Sequence, residues 1–415
     1  MYSGEVRSAR AANSVFTLPL VAGESHLAIV AVLRWRAIWI LKTTPESEWG
    51  GRPMQKFKNL FQDVPDPRAD NARHDLVDVL VIALAAVLCG ADNCADMAEF
   101  GCAKEALLRQ FLRLEHGIPS HDTFSRIFRL LDPQAFEPVF RRFLAEFAKE
   151  LHGVVAVDGK ALRGAFERGR KTTPLQLVNV WAAEARLAIA QRLAPKRNEV
   201  AAALEALELL ALDGCTVTAD ALHCHAEFAQ CILHRGGQYA LALKANQSAL
   251  FTDAQILLEP LAEHPQVQQP LTGSHGRDER RQAVVVPAAG LARKHDFPGI
   301  KALARIELQR RVGDAEEPPI VRYFLLSRRW SPARVLAITR AHWGIENQLH
   351  WVLDVVFDED RARNRKDHGP ENLAILRKLA LNTLRSHPST ASIRRKIKRA
   401  GWDDAFLTSM LAQMR

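Results

Sequence analysis

GVVAVDGKALRGA, residues 153–165, decides how the chain is read. The apolar run Val154 to Val157 meets an acidic residue, Asp158, and then Gly159 and Lys160, which predicts a short buried strand ending in a functional turn. Two further apolar runs follow, LQLVNVWAA (175–183) and RLAIAQRLA (186–194). Then helix and strand alternate: NEVAAALEALELL (198–210), CTVTADAL (215–222), HAEFAQCILHR (225–235), QYALALKA (238–245) and QSALFTDAQILLE (247–259).

Three strands followed by helix–strand alternation is the order of an α/β, ribonuclease H-like core. It is not the strict alternation of a dinucleotide-binding domain, and no G-x-G-x-x-G is present. Strand character returns in RRQAVVVPAA, ALARIELQRRV and IVRYFLLS, so residues of about 270–330 are expected as a β-rich insertion. SPARVLAITRAHWGIENQLHWVLDVVF (331–357) is helical, with Ser331 and Pro332 opening it. Upstream, apolar residues fall at helical spacing from Asp75 to Leu151, which predicts an all-helical N-terminal domain over 54–151. Within it, Ser120 caps a helix carrying Arg126 and Arg129, compatible with helix-turn-helix DNA reading or with plain packing. The catalytic domain is expected over 152–385 and a basic helical tail over 386–415. Residues 1–53 are poorly patterned and read either as an ordinary N-terminal extension or as the product of a mis-assigned start, with translation beginning near Met54.

Charge and composition narrow the partners. The chain has 415 residues, 48% of them hydrophobic, and a net charge of +9. Residues 361–415 hold thirteen Lys/Arg against four Asp/Glu, an excess of nine that equals that of the whole chain. Such a block suits polyphosphate partners or forms a solvated tail. The six cysteines form no C-x-x-C pair and are expected as reduced thiols. The apolar stretch 27–42 is interrupted by Arg34 and Arg36 and is too short to span a bilayer, so no membrane association is expected.

Two-metal phosphoryl transfer needs several carboxylates converging on neighbouring cations. Asp158 closes the first strand and Asp220 the fourth, and these strands are neighbours in a ribonuclease H-like sheet. Glu346, on the helix after the insertion, is placed to bring a third carboxylate across the sheet. Asp354, Asp358, Glu359 and Asp360 are rivals on or after the same helix, read more simply as an acidic helix end. His223, Cys224 and His225 are not read as a metal site, because adjacent residues on a helix diverge.

The stretches GVVAVDGKALRGA, NEVAAALEALELL, TADALHCHAEFAQCIL, GGQYALALKANQ, SHGRDERR and RAHWGIENQLHWVLDVVFDEDRARNR, in this order, resemble the ISAs1 family of insertion-sequence transposases, the H-repeat-associated proteins, within the IS4-like DDE group. DPRADNARHDLVDVLVIALAAVLCGA and GIPSHDTFSRIFRLLDP are similar to the helical domain associated with them. The likeness runs from about Met54 to Arg385. It implies Mg2+ or Mn2+ dependence, a catalytic and metal-binding triad of Asp158, Asp220 and Glu346, and recognition of terminal inverted repeats and target DNA. It further implies a homodimer in the synaptic complex and a bacterial, cytoplasmic, nucleoid-associated location. Where the wider group surrounds its Glu with Tyr, Arg and Lys, this chain has Thr339, His342 and Leu353, so the hairpin chemistry of some relatives does not carry over. DNA contacts are expected from Lys160, Arg163, Lys244, Asn246, Gln247, His275, Arg277, Arg280, Arg281, His342, Trp343, Asn347 and Trp351, with Arg126 and Arg129 upstream. A decayed DNA-binding protein of the same fold, or a nuclease that cuts without joining, are the competing readings.

Overall fold

The computed structural model describes residues 59–147, 151–166, 173–270, 272–274, 277–313 and 315–412. The N-terminal extension and His275 lie outside these residues. The described chain begins with helices α1 (Leu76–Leu88), α2 (Cys94–Ala103), α3 (His121–Leu130) and α4 (Glu137–Phe147). Asp75, Asn93 and Ser120 cap the first three, each side chain accepting from a backbone N–H of the first turn.

The core sheet opens with β1 (Gly153–Phe166), β2 (Pro174–Ala182) and β3 (Leu187–Leu193). Then α5 (Glu199–Glu208), β4 (Cys215–Ala219), α6 (Ala226–His234), β5 (Gln238–Leu243) and α7 (Ser248–Leu258) alternate. Strands β6 (Val267–Gln268), β7 (Thr272–Ser274), β8 (Arg277–Pro287), β9 (Ala302–Val312), β10 (Ala315–Glu316) and β11 (Ile320–Leu326) follow. The sheet order is β3-β2-β1-β4-β5-β11-β9-β8-β6. β1 to β3 are antiparallel, while β4 and β5 run parallel to β1. That is the ribonuclease H-like arrangement. The later strands do not form a separate lobe: β11 pairs antiparallel with β5, so they prolong the core sheet.

β1 is longer than the sequence pattern predicts. Only residues 153–157 pair with β4, whereas β2 pairs with β1 as far as Phe166. Asp158 therefore sits where one neighbour stops and the other continues. Alternation sorts side chains between the two faces. Val154, Ala240, Ala304 and Phe324 pack under α8 (Pro332–His342) with Val335, Leu336 and Ile338. Val155, Val217, Leu241 and Leu303 face the opposite way, into the larger core that also holds Ala203, Leu207, Phe228 and Ile232.

Beyond α8 the chain makes a π-helical turn over Ile345–His350 and one α turn over Trp351–Val355. It ends in α9 (Gly369–Ser386), α10 (Ile393–Trp402) and α11 (Asp404–Ala412). The basic segment after residue 385 is thus folded: Phe406, Leu407, Met410 and Leu411 are buried in the same core as α1. α9 also closes the open edge of the sheet. Asn382 accepts from the N–H of Ala188 at 3.0 Å and donates to its carbonyl at 2.7 Å, standing in for a strand neighbour where β3 bulges. Asn382→Leu strands both backbone groups without partners and is expected to cost about 2–4 kcal/mol, measurable as a lower Tm. An unchanged Tm would mean that this edge is held by packing alone.

Candidate active site

Alternation along β1 places Val154, Ala156, Asp158, Lys160 and Leu162 on one face. The parallel register pairs Val157 with Ala219, so Asp158 and Asp220 follow as the next two residues on adjacent strands. Antiparallel pairing sets Asn179 of β2 opposite Asp158 on its other side. Helix α8 and its continuation run over this face and present one residue in every four. His342 Nδ1 lies 3.0 Å from Thr218 Oγ1, and His350 Nδ1 lies 3.5 Å from Glu346 Oε2 and 3.6 Å from Asp158 Oδ2. Asp354 then accepts from Lys160 Nζ at 2.6 Å. A regular α-helix turns about 100° per residue, so residues spaced by four drift about 40° at each step. The wider π-helical turn removes that drift and keeps Glu346 and His350 over Asp158.

Asp158, Glu346 and His350 each offer a ligand atom, all within 4.8 Å of one another. This oxygen and nitrogen set fits a divalent cation. Asp220 Oδ1 accepts from the N–H of Leu222 at 3.1 Å and remains half-exposed at the mouth of the site. A fourth carboxylate stands close by: Glu199, first residue of α5, approaches so near that a Cβ on Gly159 would lie 1.9 Å from its Oε2. A side chain at this position would displace the Glu199 carboxylate from its place beside Asp158.

The electrostatics follow from this crowding. Burial, reinforced by Glu346 and Asp220, pushes the Asp158 carboxyl up to about 8. Its partner Glu346, lowered chiefly by the imidazole of His350 beside it, falls to about 2. Burial and mutual repulsion thus favour one shared proton between the pair, and burial favours the neutral form at Asp158. Glu199 is also raised, by burial and by the charge of Asp220.

Residues 149–383 match the family model described as the transposase DDE domain, and residues 58–144 match its associated domain. The chain belongs to the DDE transposase family. An uncharacterised protein from the dhlA 3′ region of Xanthobacter autotrophicus is 43% identical over 261 residues, covering 61% of this chain and 88% of that protein. The H repeat-associated putative transposase YhhI of Escherichia coli strain K12 is 30% identical over 371 residues, covering 86% and 98%. A piggyBac transposase in a synaptic complex with hairpin DNA aligns with TM-score 0.43 at 13% identity, over 87% of this chain and 81% of that one.

The transposase places the remaining predicted residues unevenly. Lys160 is buried and caged by Asp354, with Glu359 at 3.5 Å and Asp360 at 3.6 Å, so it is not presented to a ligand. Arg163 is exposed beside Asp360. Lys244 is exposed at the end of β5. Asn246 and Gln247 instead donate to the carbonyls of Ala221 and Cys224, at 2.7 and 3.0 Å, and so tie down the turn that follows Asp220. His342 is folded in against Thr218, and burial pushes its imidazole down to about 4, so it is neutral. Trp343, Asn347 and Trp351 are exposed.

Arg280 and Arg281 point to opposite faces of β8; Arg277 opens that strand. Arg281 and Arg310 both pair with Glu279. Upstream, Arg126 is exposed, whereas Arg129 binds Asp367 at 2.8 Å. Arg322 was not legible as a site residue. It stacks over Trp343 at 4.7 Å and, among the described residues, meets no carboxylate. Strand register places it on the same sheet face as Arg281 and Arg310, just past the cover of α8.

Raising the Asp158 carboxyl makes its ionised form unfavourable in the fold. The stability this gives is complete below the ordinary value of 3.8 and is lost as pH rises towards about 8. Glu346 works oppositely, and its contribution disappears only below its ordinary value of 4.5. In EDTA at pH 8, Asp158→Asn is expected to be more stable than the parent by on the order of 1–3 kcal/mol, and the difference shrinks as pH falls towards 4. Thermal melts at the two pH values decide this. A constant difference would mean that Asp158 is not the residue carrying the proton.

Proposed function

We propose that this protein is the transposase of an insertion sequence, of the ISAs1 type, which cuts DNA at the terminal inverted repeats of its element and joins the freed ends to target DNA. The observation that supports this reading most directly is the meeting of Asp158 and Glu346 beside His350, with Asp220 on the adjacent strand. Asp158, Asp220 and Glu346 would hold Mg2+ or Mn2+. Such cations, when bound, supply charge stabilisation to the attacking and leaving oxygens.

The residues do the rest by position. Water attacks the phosphorus at the element end, the bond to the 3′ oxygen breaks, and a 3′-hydroxyl and a 5′-phosphate are released. That hydroxyl then attacks a target phosphodiester, releasing a 3′-hydroxyl of the target. Asn246 and Gln247 keep the Asp220 turn in place, Trp343 and Arg322 line the approach, and exposed Arg163 and Lys244 flank it. Two copies are required to bring two element ends together, and the work takes place in the cytoplasm, on the nucleoid. Among the described residues no helix is long and apolar enough to cross a membrane.

Asp158→Asn, Asp220→Asn and Glu346→Gln are each expected to lower cleavage of an inverted-repeat duplex by at least about 10³-fold, while binding in EDTA persists. Near-parental cleavage by any of the three removes that residue from the set. Cutting without joining would make the protein a nuclease, and binding without cutting a decayed relative. Arg322→Ala is expected to reduce the slope of log affinity against log salt by about 1; an unchanged slope would take Arg322 off the DNA path.

A further inference from the structure

We propose that His350 is a nitrogen ligand of the cation held by Asp158 and Glu346, and that Asn179 sets which ring nitrogen faces that cation. This rests on the metal-dependent reading above and adds to it a ligand outside the three carboxylates.

The geometry starts with burial. His350 is 5% exposed and Asn179 fully buried, so neither is presented to solvent. Nδ1 of His350 stands 3.6 Å from Asp158 and 3.5 Å from Glu346, too long for good hydrogen bonds. Two ligand atoms at right angles around a small divalent ion with bonds of about 2.1 Å lie roughly 3 Å apart. Both separations exceed that by only about half an ångström, so a small contraction brings Nδ1 to ligand spacing from each carboxylate.

Asn179 supplies the second observation. Its Nδ2 is 3.2 Å from His350 Nε2, and its Oδ1 is buried with no hydrogen-bond partner among the described residues. As placed, the amide donates to Nε2, so the ring proton sits on Nδ1 and points at the two carboxylates. That is the arrangement electrostatics favours without a cation. A ligating Nδ1 must instead offer its lone pair, which moves the ring proton to Nε2 and requires an acceptor there. The unused Oδ1 is that acceptor, reached by half a turn of the amide, whose two ends are alike in shape. Asparagine can serve both states, whereas a carboxylate or an aliphatic residue serves one or neither. Metal-bound histidines characteristically donate their other nitrogen to such a group. A nitrogen donor also tilts the site away from Mg2+, which favours oxygen, and towards Mn2+.

Pulsed electron paramagnetic resonance on Mn2+ bound to the full chain tests this without any catalytic readout. The parent protein is expected to show a nitrogen coupling to Mn2+ that changes when its histidines carry 15N. The coupling should vanish in His350→Gln while Mn2+ remains bound. Asn179→Leu is expected to weaken Mn2+ binding about 10- to 100-fold, with Asn179→Asp restoring it. Bound Mn2+ without nitrogen coupling, or a coupling that survives in His350→Gln, overturns the role of His350 and leaves the carboxylate reading standing. Failure of the parent protein to bind Mn2+ at all overturns both. The parent measurement stands even if a variant does not fold.

Discussion

One stripe of a helix laid on one face of a sheet organises this molecule. His342 meets Thr218 of β4, Glu346 and His350 gather over Asp158 of β1, and Asp354 meets Lys160, so side chains four apart on the helix must stay in match with one short stretch of two adjacent strands. A regular α-helix does not keep that match over twelve residues. The π-helical turn over Ile345–His350 does, at the expense of poorer backbone geometry, and it falls where the carboxylates gather. Apolar packing of Val335, Leu336 and Ile338 under the preceding helix fixes where the stripe begins.

Along that stripe lie two charge clusters of opposite design. At Lys160 the charges are matched: its ammonium is enclosed by Asp354, Glu359 and Asp360, while a second buried ammonium, Lys378, bonds Gln191 at 2.6 Å nearby. Such a network gains little net energy over an apolar core, but it penalises any misplacement of the loop after the helix. At Asp158 the charges are unmatched, with acids facing acids and His350 set among them. The first cluster fixes the loop that follows the helix, beside the second. Stability is spent there on a centre that calls for positive charge from outside.

Much of this was legible in the chain itself. The alternation of runs from 153 to 259 is sufficient for the ribonuclease H-like order, because each buried strand is short, apolar and bounded by turn residues. Asp158 and Asp220 could be singled out because each interrupts an apolar run at its end. What could not be read was who sits beside whom. Lys160 lies two residues after Asp158, on the same face, and reads as a phosphate ligand, yet acids distant in sequence, Asp354, Glu359 and Asp360, enclose it there. His350 lies on the apolar side of its helix, where a histidine ordinarily belongs to the core. Its only signal was the spacing of four from Glu346. Glu199 reads as an ordinary first-turn acid of α5, and only the three-dimensional path brings it against Gly159. Arg322 sits in a strand whose neighbours are apolar, and nothing local marks it apart from other strand arginines.

The helix α1 has a further consequence, for synthesis. It is among the first described segments to leave the ribosome, and twelve of its thirteen residues are buried. Part of what covers it is α9, α10 and α11, translated some three hundred residues later. Until the final helices emerge, a nascent chain carries an oily rod with incomplete shelter, a hazard for aggregation. A prematurely terminated product would keep that liability permanently, even though every residue of the acidic centre had already been made.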